Sequence, residues 1–291
     1  MKIMNTHLNG FKTYLDNNEK AVNTIIKYLR DVSKFMFFVG GEELSKNIVI
    51  QFKHHLEEKG YEIGSINTIL SSVNAFLKFL DVPQYKVSLI RVQQQLYQSV
   101  DKELNEDEYF RLLTAAESNE RLWLLIQTIA STGIRVSELK FVTVEAVKKG
   151  EFTVHLKGKV RKVMMPDDMR HLLLKYIEKR GYKTGPVFRT KNGTDLNRTY
   201  IWRSIKKLCL KTGIKSSKVF PHNLRKLFAF KVYSDTKDIS KLADILGHSN
   251  INTTRIYIMT SGEQHRRILN RVGLTAINRH NKNNVASISG Q

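Results

Sequence analysis

Glycine and proline together fill only 20 of the 291 positions, 16 and 4 respectively. That is about 7 per cent of the chain, where about 12 per cent is usual. Breakers this sparse leave long uninterrupted stretches, and a helix-rich fold is the architecture that uses them. The clearest stretch follows Gly64. Ile66, Ile69, Leu70, Val73, Phe76, Leu77 and Leu80 fall on one helical stripe, with Ser65 as the expected N-cap and Pro83 as the stop. Such a stripe reads as core packing. Leu8, Phe11 and Leu15 repeat the spacing, as do Val49, Phe52 and Leu56, so residues 1–82 are expected to form a small helical domain. Residues 83–103 lose the period and are expected to be a linker. Asn105 then caps a new helix whose first turn, Glu106, Asp107 and Glu108, sets acidic groups at the positive end of the helix dipole. Residues 121–132 are apolar on most faces, which predicts a centrally buried helix ending at Gly133.

One interval departs from the helical rule. Phe152, Val154 and Leu156 alternate with polar residues, Lys157-Gly158-Lys159 turns, and alternation resumes as far as Met165 before Pro166. Residues 151–165 are therefore expected to be a β-hairpin with a basic tip. The expected fold class is mainly α with this small hairpin (α+β), with a second domain at 104–277. Residues 278–291 are polar and small, and a disordered tail is expected there.

Charge narrows the function. Lysine and arginine number 48 against 27 acidic residues, a formal net charge of +21. Residues 1–100 hold 12 of the basic and 9 of the acidic side chains, so the excess lies in the second part. A domain so unbalanced points to a polyanion, most simply nucleic acid. No basic amphipathic helix stands out to favour a membrane surface. The single cysteine, Cys209, excludes an internal disulfide and any multi-cysteine metal or iron–sulfur site. No apolar run reaches the ~18 residues of a bilayer span, and no signal-peptide core follows Met1. A cytoplasmic setting is expected.

Four segments of the second part carry chemistry. In TGIRVSEL, Arg135 follows the buried helix and its guanidinium must be paired or must bind an anion; Glu138 could be its partner. In LKGKVRKV, the cations Lys157, Lys159, Arg161 and Lys162 repel one another unless an anion sits among them. In PHNLRKLFAF, His222 and Arg225 stand at i and i+3 and share a helix face. In ILGHSNINTTRIYI, His248 follows a helix-ending glycine and Tyr257 lies nine residues on. Taken singly, each has a plainer reading: a structural Arg–Glu pair, a solvated basic loop, a buried histidine beside a surface arginine, a packed tyrosine.

Together they are the parts for transesterifying a phosphodiester without a metal. Arginines neutralise the non-bridging oxygens as charge develops, aided by the bidentate fork of the guanidinium. A tyrosine supplies an oxygen nucleophile of pKa ~10. A histidine can take its proton and a lysine can protonate the departing hydroxyl. Metal-assisted cleavage would instead want clustered carboxylates, and the acidic residues here are scattered. No cofactor and no metal is expected.

The chain resembles the tyrosine recombinases of the lambda-integrase/Xer type. TGIRVSEL resembles the family's first-arginine box, HNLR its His-x-x-Arg box, and LGHSN…TTRIY its His-to-Tyr box. The resemblance implies an N-terminal helical SAM-like core-binding domain followed by a catalytic domain, without an arm-binding domain. It implies Arg135 and Arg225 as phosphate-binding residues, His222 as proton acceptor, and His248 as a hydrogen-bonding partner of the phosphate. Tyr257 becomes the nucleophile that joins DNA through a 3′-phosphotyrosine, and a hairpin lysine is the acid: Lys157 first, Lys159 as the alternative. Lys226 stands where a histidine is frequent, which bears on subfamily and removes no catalytic group. The resemblance further implies double-stranded DNA with specific core sites as substrate and a four-way (Holliday) junction as intermediate. A homotetramer held by a C-terminal helix around 262–275, possible accessory proteins, and integration, excision or transposition of a mobile element or resolution of a replicon dimer complete the expectation. A non-catalytic DNA-binding regulator and a type IB topoisomerase are the alternatives.

Overall fold

The computed structural model describes residues 1–91, 103–156 and 159–257, with Leu156 and Lys159 described by backbone alone. The chain divides into two compact units, Met1–Gln94 and Gln95–Gln291. Each is taken by itself.

The first unit is four helices: α1 (Asn5–Asn17), α2 (Val22–Val39), α3 (Lys46–Glu58) and α4 (Ile63–Phe79). Their stripes meet as the spacing predicts. Phe11, Phe35, Phe52, Leu70, Val73 and Phe76 are almost fully buried, and the Phe11 and Phe76 rings meet edge to face at 5.1 Å. α4 begins three residues earlier than Ser65 suggests, with Glu62 as its N-cap and the Ser65 and Ile66 amides donating to the Glu62 carbonyl. The aperiodic stretch after Pro83 starts pinned to α4. Asn67 donates to the Ile90 carbonyl at 2.9 Å and accepts from its amide at 2.8 Å, and Asn74 pairs with Val87 in the same manner. Residues 92–102 of the expected linker lie outside the described residues.

The second unit is built on α5 (Glu106–Ala116), α6 (Glu120–Thr132), a 3-10 helix (Val136–Phe141) and α7 (Val144–Lys149). The hairpin β1 (Glu151–Leu156) and β2 (Lys159–Met164) follows, then α8 (Asp167–Arg180), α9 (Arg198–Thr212), α10 (Pro221–Thr236), α11 (Ile239–Leu246) and α12 (Ile251–Arg255). Asn105 caps α5 in a capping box with Glu108. α6 is the buried helix expected: Leu124, Leu125, Ile126 and Ile129 are at most 2 % exposed. It ends at Gly133, whose φ of +64° and closeness to the Phe228 ring of α10 leave no room for a side chain. The two strands pair antiparallel, with Phe152 opposite Val163 and Val154 opposite Arg161. Among the described residues no helix is long and apolar enough to cross a membrane. Residues 258–291, including the expected docking helix at 262–275 and the tail, lie outside the described residues.

Candidate active site

Two helix ends converge on one guanidinium. Arg225, on the second turn of α10, is 1 % exposed. It donates through Nη1 to the carbonyl of Gly133, past the end of α6, and through Nη2 to that of Leu246, the last residue of α11, at 2.7 Å. Carbonyls at helix C-termini have no intrahelical partner, so a cation there meets both an unsatisfied acceptor and the negative end of the dipole. The same Nη2 lies 3.0 Å from His248 Nε2. Arg225 Nε is buried and has no hydrogen-bond partner among the described residues. Burial, then repulsion from Arg135, draws the guanidinium down to about 10.

The plainer reading of PHNLRK had the histidine buried and the arginine outside. The structure reverses it: Arg225 is enclosed, and His222, at the start of α10, keeps a face open to solvent. His222 stands beside Phe220 on one side and Tyr257 on the other, with the Tyr257 ring 5.2 Å away. Partial burial, followed by the charges of Lys226, Arg225 and Arg135, holds its imidazole below the usual value.

His248 follows Gly247, the left-handed residue that ends α11. A guanidinium has donors only, so His248 Nε2 must accept from Arg225 and the proton resides on Nδ1. Nδ1 lies 2.9 Å from the buried Thr254 Oγ1, which receives it. Burial first, then Arg225, Arg135, Arg161 and His222, depress this imidazole to about 4. It is neutral at pH 7. Its ring stacks on Tyr257 with centroids 5.5 Å apart and planes 15° apart. Tyr257 is thus held between the two histidines, 9 % exposed, in an apolar seat made by Ala229, Leu242 and Leu246. It lies near enough for its ionised form to support the charge on Arg225.

Arg135 comes from the turn after α6 and is the exposed arginine of the group. Its Nη1 donates to Glu138 Oε1 and its backbone amide to Glu138 Oε2, both at 2.9 Å. The Arg–Glu pair of the plainer reading exists, yet it leaves nearly half of the Arg135 side chain open. Glu138, 1 % exposed, also takes Arg161 at 2.6 Å and stands 4.0 Å from Arg225. Three guanidinium groups therefore share one carboxylate. Beside them opens a cavity of about 330 Å³ lined by Arg135, His222 and Arg225 at one end and by Arg198, Trp202 and Lys206 of α9 at the other.

Four of the six residues singled out, Arg225, His222, His248 and Tyr257, form one contact chain, and Arg135 joins them across Glu138. Lys157 lies outside the described residues, and the alternative, Lys159, contributes only its backbone as the first residue of β2. The hairpin cations are not alike: Lys162 pairs with Glu151 at 3.3 Å, and Arg161 turns inward. Sequence reasoning missed the inward arginine, Thr254 and the α9 face. Strand alternation carried a signal for the first, since Arg161 has the same parity as the core residues Val163 and Met165. Nothing local marked the other two. Among the described residues no group of three or more His, Cys, Asp or Glu side chains gathers in one place.

The phage integrase family matches residues 102–264, and the phage integrase N-terminal SAM-like domain matches residues 8–81. The tyrosine recombinase XerA of Pyrococcus furiosus is 30 % identical over 275 residues, covering 92 % of this chain and 94 % of that protein. A crystal structure of XerA recombinase is 28 % identical, with a TM-score of 0.52 over 92 % of this chain and 98 % of that one. A lambda integrase tetramer bound to a Holliday junction is 18 % identical with a TM-score of 0.71, over 88 % of this chain and 77 % of that one; at that identity the likeness is one of fold.

Proposed function

The chain belongs to the phage integrase family, and from that premise we propose a site-specific DNA recombinase that cuts and rejoins strands through a covalent bond to Tyr257. The observation that carries the reading is the phenol of Tyr257 held between His222 and His248 beside the buried Arg225. A tyrosine in a purely packing role needs no such neighbours.

In this reading the scissile phosphate enters the cavity at its Arg135–Arg225 end. The open part of Arg135 and the unpartnered Nε of Arg225 are donors in search of an anion. Two cations spread over the non-bridging oxygens stabilise the extra charge of the pentacoordinate transition state. The phenol oxygen of Tyr257 attacks phosphorus, and His222, neutral at pH 7 because of its depressed pKa, takes the phenolic proton. The bond from phosphorus to the 5′-oxygen breaks, and that oxygen takes a proton from the hairpin lysine, Lys157 or Lys159. The 3′-phosphotyrosine that results keeps the bond energy, and a 5′-hydroxyl attacking in reverse rejoins the strand.

His248 needs one adjustment for its part. Its Nε2 accepts from Arg225 in the free chain, so donation to a phosphate oxygen requires the proton to move from Nδ1 to Nε2 and the Arg225 Nη2 donor to turn from the imidazole to the phosphate. Thr254 Oγ1 can follow, turning from acceptor to donor, because a hydroxyl serves either way. The cavity is larger than one phosphate group, and the α9 end with Arg198 and Lys206 suits the backbone that flanks the cut.

The substrate is double-stranded DNA carrying a specific core site, and the working assembly is a tetramer on a four-way junction, in keeping with the lambda integrase tetramer described above. A C-terminal helix around 262–275 would link its subunits. Resolution of replicon dimers, the integration or transposition of a mobile element, and any accessory proteins belong to the same proposal. A non-catalytic regulator would have no use for a nucleophile so placed, and the relatives named above are recombinases and an integrase.

The test is a nicked suicide substrate that traps the protein–DNA adduct. Wild-type protein is expected to accumulate a covalent complex, and Tyr257→Phe to form none while still binding the duplex. An adduct persisting in the phenylalanine variant sinks the assignment.

A further inference from the structure

β2 places one cation where strands place hydrophobic residues. Val163, on the inward face, is 5 % exposed, whereas Val160 and Met164, on the other face, are 66 % and 69 % exposed. Arg161 shares the parity of Val163, and its side chain is 13 % exposed. An inward charge costs desolvation unless both ends of the guanidinium are satisfied. They are: Nη2 donates to Glu138 Oε2 at 2.6 Å, and Nη1 to the carbonyl of Ile245, in the last turn of α11, at 3.0 Å. The aliphatic part of Arg161 lies against Gly247, where an added Cβ would collide with it. With φ at +66°, that glycine suits both the turn and the contact.

One side chain thus ties three segments together. Through Glu138 it reaches the carboxylate that orients Arg135, and through Ile245 it reaches the helix end that presents His248. From this geometry we infer that Arg161 is a positioning residue for strand cleavage, setting the Arg135 guanidinium and the His248 loop at fixed places around the phosphate. It does not touch the phosphate itself, because it does not line the cavity that Arg135, His222 and Arg225 share. Only the forked guanidinium can hold both partners at once. A lysine at 161 is a point charge that can reach Glu138 or the Ile245 carbonyl, not both. The inference rests on the reading of Arg135 as a phosphate ligand, and its test separates the two.

The experiment compares adduct formation on a scissile phosphodiester and on a methylphosphonate at the same position, using the full chain. Methyl in place of a non-bridging oxygen removes the charge that arginines neutralise, so a defect in placing that charge shrinks on the neutral substrate. Arg161→Met is expected to slow cleavage of the phosphodiester roughly tenfold to a hundredfold, and that of the methylphosphonate by less than about threefold. Duplex binding stays near wild type. Arg161→Lys is expected to fall between, with the same preference, and it decides the matter should the methionine variant fail to fold by circular dichroism. Arg135→Ala is the control. If that control shows no preference for the neutral substrate, the phosphate-ligand reading of Arg135 fails. If the control shows it and both Arg161 variants lose equally on the two substrates, Arg161 is a structural strut and the inference falls.

Discussion

A histidine whose ring nitrogens are both engaged has its protonation state decided by its neighbours. His248 accepts from a guanidinium on Nε2 and gives its proton to Thr254 on Nδ1, so an added proton on Nε2 would confront Arg225 directly. The depression of its pKa to about 4, caused first by burial and then by Arg225, expresses that conflict. The consequence for stability has a definite sign. Between pH 6.5 and 4 the unfolded chain binds a proton at this histidine and the folded chain does not, so stability falls as pH falls through that window. His222, depressed in the same direction, adds to it at the upper end. A glutamine at 248 can accept from Arg225 through its amide oxygen and does not titrate. Urea midpoints measured at about pH 7, 6 and 5 are expected to fall more steeply for wild type than for His248→Gln. Parallel declines would remove this account of the histidine. At this scale the sequence was informative about identity and silent about exposure. The i, i+3 spacing of His222 and Arg225 was legible, but which of the two lay inside depended on where the ends of α6 and α11 came to rest, and neither is local to PHNLRK.

Helix ends, more than helix faces, build the site. α6 stops at Gly133 and α11 at Gly247, both left-handed, and each delivers carbonyls to an arginine from another element. Gly133 is also where α10 crosses, because a Cβ there would strike the Phe228 ring. Gly133→Ala therefore meets two penalties, the left-handed backbone and an overpacked crossing, together about 2–4 kcal/mol. Its urea midpoint is expected to drop accordingly. Adduct formation is expected to drop further than the remaining folded fraction explains, since the Gly133 carbonyl is a partner of Arg225. A loss of stability within about 0.5 kcal/mol would mean that the crossing yields readily. The elements themselves were largely readable beforehand: the Asn105 cap, the stop at Gly133, the hairpin ending before Pro166. Each depends on interactions within a few residues, which is what a sequence displays. The start of α4 was misplaced because its cap works through the Glu62 backbone, and backbone acceptors leave no mark on residue type. The pinning of Val87 and Ile90 by Asn74 and Asn67 was hidden for a different reason, since it pairs side chains with main chain 13 and 23 residues away.

For the molecule as an assembly, the question is whose tyrosine meets whose phosphate. Tyr257 sits against His222 and His248 of its own chain and is nearly enclosed there. Moving it to a neighbouring subunit would give up both ring contacts and expose the apolar seat formed with Ala229, Leu242 and Leu246. Delivery within the same subunit is the lower-energy arrangement on these contacts, and a mixing experiment discriminates it. On the proposed mechanism Tyr257→Phe lacks a nucleophile and Arg135→Ala lacks a phosphate ligand, so neither is expected to cleave alone. If each subunit supplies its own tyrosine, combining the two on one duplex creates no complete site and no adduct forms. If the tyrosine were donated across, an Arg135→Ala subunit would place its intact phenol into the intact pocket of a Tyr257→Phe subunit, and cleavage would return. The structure predicts silence from the mixture at every ratio, and an adduct there, traced by size to the Arg135→Ala chain, would overturn delivery within the subunit while leaving Tyr257 as the nucleophile.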